Sequence, residues 1–152
     1  MKTSFSLCAL ALVLFAAAVF ASTQTSKQTA PNSSSSSGQS QVKRGKYLVE
    51  EVARCTECHT PRDAQGNLDN SRALQGAPVW IVPVHPDHNW AQQAPPLAGF
   101  AAYTDSDGEA ILEKGRGPNG EAIRPPMHIY HLNHEDAVAI IAYLKSVPAS
   151  TR

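Results

Sequence analysis

The sequence is 152 residues long, with 13 basic against 13 acidic side chains and 42% apolar residues, the make-up of one modest soluble domain. Balanced and scattered charge argues against a nucleic-acid binder, which needs a basic stripe to neutralise phosphates, and no apolar run after residue 21 is long enough to span a bilayer.

In chain order, residues 1–21 read as an export signal: Lys2 supplies the positive start, residues 7–20 the apolar stretch, and Val19, Phe20 and Ala21 a small-residue cleavage site. The alternative is an uncleaved anchor in the inner membrane, because the stretch approaches the length of a short membrane helix. Either way the protein is expected outside the cytoplasm, periplasmic and soluble if the signal is cut. Cleavage removes Met1 and Cys8 and leaves two cysteines and a single methionine, Met127. Residues 22–42 are mostly Ser, Thr, Gln and Asn, and without large apolar side chains they predict a disordered tether.

From residue 43 the texture changes, and residues 43–150 are expected to form the folded domain. Gly45, Leu48, Val49, Val52 and Ala53 recur at helical spacing, which predicts a helix running into Cys55. Lys43, Arg44 and Lys46 then crowd its positive end, against the helix dipole, as a solvated helix start or a docking patch for an acidic partner. Residues 61–96 are rich in Pro, Gly, Asn and Asp and read as a long loop that must wrap something. A short helix is expected over residues 107–114, with Ser106 and Glu109 in capping-box spacing and Gly115 as its stop. The last helix has the plainest signal: Asn133 caps it, Ala137, Ile140, Ile141 and Leu144 form one apolar stripe, and Lys145 precedes the break at Pro148. No alternating strand is visible, so the fold class is all-α, three to four helices around long loops.

Cys55, Thr56, Glu57, Cys58 and His59 form the pattern CxxCH, the attachment signature for c-type haem. Residues three apart on a helical turn share a face, so both sulfurs can reach one porphyrin edge, and His59 follows as proximal iron ligand. A thioredoxin-like redox pair would want a βαβ context, and half a zinc site would want a second Cys or His pair. Met127 lies in the run Arg124, Pro125, Pro126, Met127, where the prolines restrict the backbone in a way suited to aiming a second axial ligand. A thioether opposite His59 raises the reduction potential relative to a His/His pair. His128, His131 and His134 are its rivals, while His85 and His88 flank Pro86 and at most suggest a second metal.

Other side chains leave two readings open. Trp80 and Trp90 either line a haem or pack as loop residues, and Arg116 and Arg124 either pair with propionates or serve at the surface. Asp105 and Asp107 lack the rest of a calcium loop. The expected function is single-electron transfer with both axial positions filled; the alternative is a haem enzyme or gas sensor with a displaceable distal ligand.

On CTECH at 55–59, PPLAG at 95–99, RPPM at 124–127 and the terminal AIIAYLKSVP, the chain resembles a class I bacterial monohaem cytochrome c over residues 43–148. It is similar to cytochrome domains that accept electrons from periplasmic dehydrogenases. The resemblance implies a cytochrome c-like fold around one covalent haem c, redox partners such as a dehydrogenase or a terminal oxidase, and no reaction catalysed by the chain itself. It also implies a close crossing of the first and last helices, with Gly45 opposite Tyr143, and a proline carbonyl that takes the hydrogen bond from His59 Nδ1–H. Pro95 matches that proline; because the interval from His59 is longer than in the smallest family members, Pro83 is the alternative.

Overall fold

The computed structural model describes residues 33–149. The expected signal at 1–21 and the first part of the tether lie outside the described residues. Four α-helices carry the fold: α1 (Ser33–Tyr47), α2 (Cys55–His59), α3 (Asp105–Lys114) and α4 (His134–Ser146). Between α2 and α3 the chain is mostly irregular, closed by a two-stranded antiparallel pair, β1 (Ala77–Pro78) and β2 (Gln93–Ala94). These strands are two residues each, too short to show as alternation in the sequence.

Helix α1 corrects two expectations. Its described part already covers Ser33, inside the stretch whose composition predicts a tether, and it stops as an α-helix at Tyr47 rather than running to Cys55. Arg44 and Lys46 therefore sit in its last turn, where the dipole favours cations, and not at its start. The helix widens into a π-turn over Leu48–Val52, with Ala53 N–H donating to the Leu48 carbonyl at 2.7 Å. Arg54 then takes a left-handed conformation (φ 54°) that turns the chain into α2.

The core forms where α1 and its π-turn cross α4. Leu48 and Val49 pack with Ala137, Ala139, Ile140, Ile141 and Leu144, joined by Leu112 of α3, Phe100, Ala98 and Leu74. The apolar stripe expected on the last helix is thus its buried face. A Cβ on Gly45 would overlap the Ala139 carbonyl, 2.6 Å from its carbon, and lie 2.8 Å from Tyr143 Cβ, so only glycine lets these backbones approach so closely. Arg44 fastens the same crossing with a two-point ion pair to Asp136, at 2.9 and 3.2 Å, and Tyr143 O–H donates to Glu50.

Caps set the remaining helix ends. Asn133 starts α4 as expected, its side chain accepting from Asp136 N–H at 2.8 Å. The box that starts α3 differs from the expected pair: Thr104 and Asp107 exchange the hydrogen bonds, two residues ahead of Ser106 and Glu109, so the helix gains Asp105 and Ser106. Both pairs have the right spacing, and the threonine that takes the cap directly follows Tyr103, whose N–H donates to the Phe100 carbonyl at 3.4 Å. Gly115 ends α3 with φ 64°, as its position predicts.

Candidate functional site

Helix α2 is a single turn, and it carries Cys55, Cys58 and His59 together. Both cysteines are free thiols. Burial pushes the Cys55 thiol up to about 11, and burial, aided by the neighbouring Glu57 charge, raises Cys58 as well. Burial thus keeps both sulfurs as thiols rather than as the exposed thiolates of a reactive dithiol.

The His59 ring is buried, at 7% exposure, and burial lowers its pKa, which keeps it neutral. Its Nδ1 lies 2.8 Å from the Pro95 carbonyl oxygen. A carbonyl can only accept, so Nδ1 carries the proton and Nε2 keeps its lone pair. No described residue hydrogen-bonds to Nε2. The structure thus selects Pro95 over Pro83, across 36 residues of chain.

Backbone contacts hold that carbonyl in place. Gly76 N–H donates to the His59 carbonyl at 2.8 Å, and Gly76 has φ 81°. A Cβ there would stand 2.9 Å from Pro96 N and 3.2 Å from the Pro95 carbonyl carbon. Thr60, at 2% exposure, accepts from Leu74 N–H at 3.0 Å, and Leu74 in turn accepts from Leu97 and Ala98. Gly76 and Thr60 were not singled out from the sequence. Thr60 follows the motif directly, but only the fold shows that its hydroxyl ties α2 to Leu74, which in turn holds Leu97 and Ala98 just beyond Pro95.

Glu57 sits at the middle of a second set of bonds. Its carboxylate pairs with Arg54 at 2.6 Å and Arg62 at 3.0 Å, which holds its carboxyl below the usual range. Its carbonyl accepts from Trp80 Nε1 at 3.3 Å, and the Arg62 guanidinium lies over the Trp80 ring at 4.8 Å. Trp80 therefore braces the motif turn from outside. Trp90 donates to the Ile81 carbonyl at 3.1 Å and stiffens its own loop.

Met127 lies half-buried on a loop fixed at both ends. Arg124 donates to the carbonyls of Asn89 and Trp90, each at 3.0 Å, and Ala91 N–H donates to the Pro125 carbonyl at 2.7 Å. Arg124 is thus a clamp between two loops. Beyond the methionine, Tyr130 O–H donates to the Ala53 carbonyl at 3.1 Å, two residues before Cys55, so the Met127 segment returns to the start of α2. Of the other histidines, His85, His88, His128 and His131 are exposed, and His134 is bonded to Glu113. Asp107 caps α3 and Asp105 pairs with Lys145, which leaves neither for calcium.

The donor set fits a covalent haem: two unbonded thiols on one turn and, beside them, a buried neutral imidazole whose Nδ1 is fixed and whose Nε2 is open. Comparisons with known proteins agree. The family model for cytochrome c matches residues 42–148. The chain is 36% identical over 115 residues to the fructose dehydrogenase cytochrome subunit of Gluconobacter japonicus, which covers 70% of this chain and 22% of that protein. It is 38% identical over 115 residues to a diheme cytochrome c-type protein of Cereibacter sphaeroides, covering 70% of this chain and 35% of the other. A cytochrome c subunit of a quinone alcohol dehydrogenase from Gluconobacter oxydans is 31% identical over 119 residues, 72% of this chain and 24% of the subunit. The chain thus spans between 22% and 35% of the length of these curated relatives.

Proposed function

The chain belongs to the cytochrome c family, and from that membership we propose that it is a single-electron carrier holding one haem c through Cys55 and Cys58, with His59 and Met127 as axial ligands. The observation that carries this reading is the hydrogen bond from buried His59 Nδ1–H to the Pro95 carbonyl, beside two free thiols. The haem supplies an iron that gains and loses one electron. Everything else is the work of the chain.

Cys55 and Cys58 anchor the group from one helical turn, so it cannot dissociate with a change of oxidation state. Pro95 orients the imidazole and strengthens it as a donor. Met127, on the loop held by the Arg124 clamp and the proline pair, would supply a soft neutral sulfur as the second ligand, favouring the reduced state and closing the position a substrate would need. A sequence with one CxxCH supports one haem. With both ligands in place the chain transforms no substrate.

The relatives named as dehydrogenase cytochrome subunits support a dehydrogenase as electron donor; a terminal oxidase is the proposed class of acceptor. The proposed setting is the periplasm, reached through an export signal at residues 1–21. A haem stain on a denaturing gel, after expression with cytochrome maturation machinery, tests the reading. Colour that travels with the polypeptide is expected, with a mass increase of one haem; a colourless band refutes it. Carbon monoxide separates the carrier from a gas sensor or haem enzyme, since a permanent His/Met pair resists it at neutral pH.

A further inference from the structure

Apart from α2, one group of side chains in the described part of the fold has the make-up of a metal site. Glu109 and Glu113 are four apart on α3, and so on one face of it; His134 opens α4. One ligand atom from each lies within 4.8 Å of the others. Donors bound at about 2.0–2.2 Å around a zinc ion lie within roughly 4.4 Å of one another, so a small side-chain adjustment closes the set.

We propose that Glu109, Glu113 and His134 form a binding site for a borderline divalent cation such as zinc, linking α3 to α4. The backbones that carry the donors are already fixed. Leu132 N–H donates to the Leu112 carbonyl at 3.1 Å, and Asn133 caps α4 immediately before His134. His134 Nδ1 lies 2.9 Å from Glu113 Oε1, so the imidazole already faces the carboxylate it would share a cation with. Glu109 has no salt bridge among the described residues, although like charges four apart on a helix repel. A cation between the two carboxylates removes that repulsion. The imidazole selects against calcium and magnesium, which prefer all-oxygen sets, and in favour of zinc, copper or nickel. Glu113 is 22% exposed and His134 66% exposed, so water completes the coordination and the ion exchanges freely.

The test is calorimetric titration of the matured, full-length protein with zinc chloride in chelator-treated buffer at neutral pH. Haem attachment leaves the cysteines as thioethers and removes them as competing ligands. One saturable site of micromolar affinity is expected, weakened roughly tenfold or more in His134→Ala and in Glu109→Gln. The double variant His85→Ala, His88→Ala should bind as the wild type does. The proposal is overturned if no saturation is seen up to about 1 mM zinc, well beyond the range of specific sites. It is equally overturned if His134→Ala binds with unchanged affinity. His134 is exposed at a helix start, so its removal leaves the fold intact, and the readout does not depend on electron transfer.

Discussion

Replacing Gly45 with alanine tests the helix crossing at the centre of the fold. The new methyl would overlap the Ala139 carbonyl and come within 2.8 Å of Tyr143 Cβ, well inside ordinary contact. Both obstacles belong to the rigid part of α4, so relief requires the helices to separate, which loosens Leu48 and Val49 against Ile140 and Ile141. Overpacking of this kind costs about 1–3 kcal/mol, and backbone obstacles put Gly45→Ala near the top of that range. Alanine returns about 1 kcal/mol through helix propensity, leaving a net loss of about 2 kcal/mol. For a domain of this size that lowers the unfolding midpoint by roughly 6–10 °C.

Gly38, on the same helix, has nothing within 4 Å of its Cβ position, so Gly38→Ala isolates propensity and should raise the midpoint slightly. Thermal melts of the haem-loaded protein, followed by far-ultraviolet circular dichroism, give both signs. If the two variants shift the midpoint in the same direction, the close crossing is not what Gly45 serves.

Three other outcomes follow from the site. Met127→Ala should let carbon monoxide bind the reduced protein rapidly and should lower its potential; an unchanged spectrum and potential would remove Met127 as a ligand. Gly76→Ala places a side chain at φ 81° against Pro96 N and the Pro95 carbonyl carbon, displacing the carbonyl that His59 uses. A weaker donor imidazole should raise the potential, and redox titration showing no change would mean Pro95 does not tune His59. Asp136 is held below the usual carboxylate range, first by its hydrogen bond to Arg44 and then by the Arg44 charge. Its folded pKa is depressed, so its contribution is complete above the unfolded value of about 4 and is lost as pH falls through the lower folded value. Denaturant melts from neutral to acid pH should therefore show a shallower acid slope for Asp136→Asn than for wild type.

Much of this fold was legible because it is written locally. CTECH needs only the pitch of one helical turn to bring two sulfurs and an imidazole together, and the stripe Ala137, Ile140, Ile141, Leu144 needs only the 3.6-residue period. Gly115 and Asn133 were readable for the same reason, since stops and caps act within a turn. Local rules misled where two candidates satisfied them equally, as with Thr104 and Ser106. They also misled where composition spoke against order: the serines of α1 have little intrinsic reason to be helical, and the helix they extend is held at its other end through Gly45 and Arg44 on α4.

By itself, then, the sequence determined the attachment turn, the helical class and the buried face of α4, because each follows from residues within a few positions of one another. Tertiary structure alone decided that Pro95 rather than Pro83 meets His59, that Gly76 and Thr60 hold that carbonyl in reach, that Arg124 clamps the Met127 loop, and that α3 and α4 bring Glu109 and Glu113 to His134. Those are meetings of groups far apart along the chain. No spacing rule specifies them, because the intervening loops must first close and the core must set the distances.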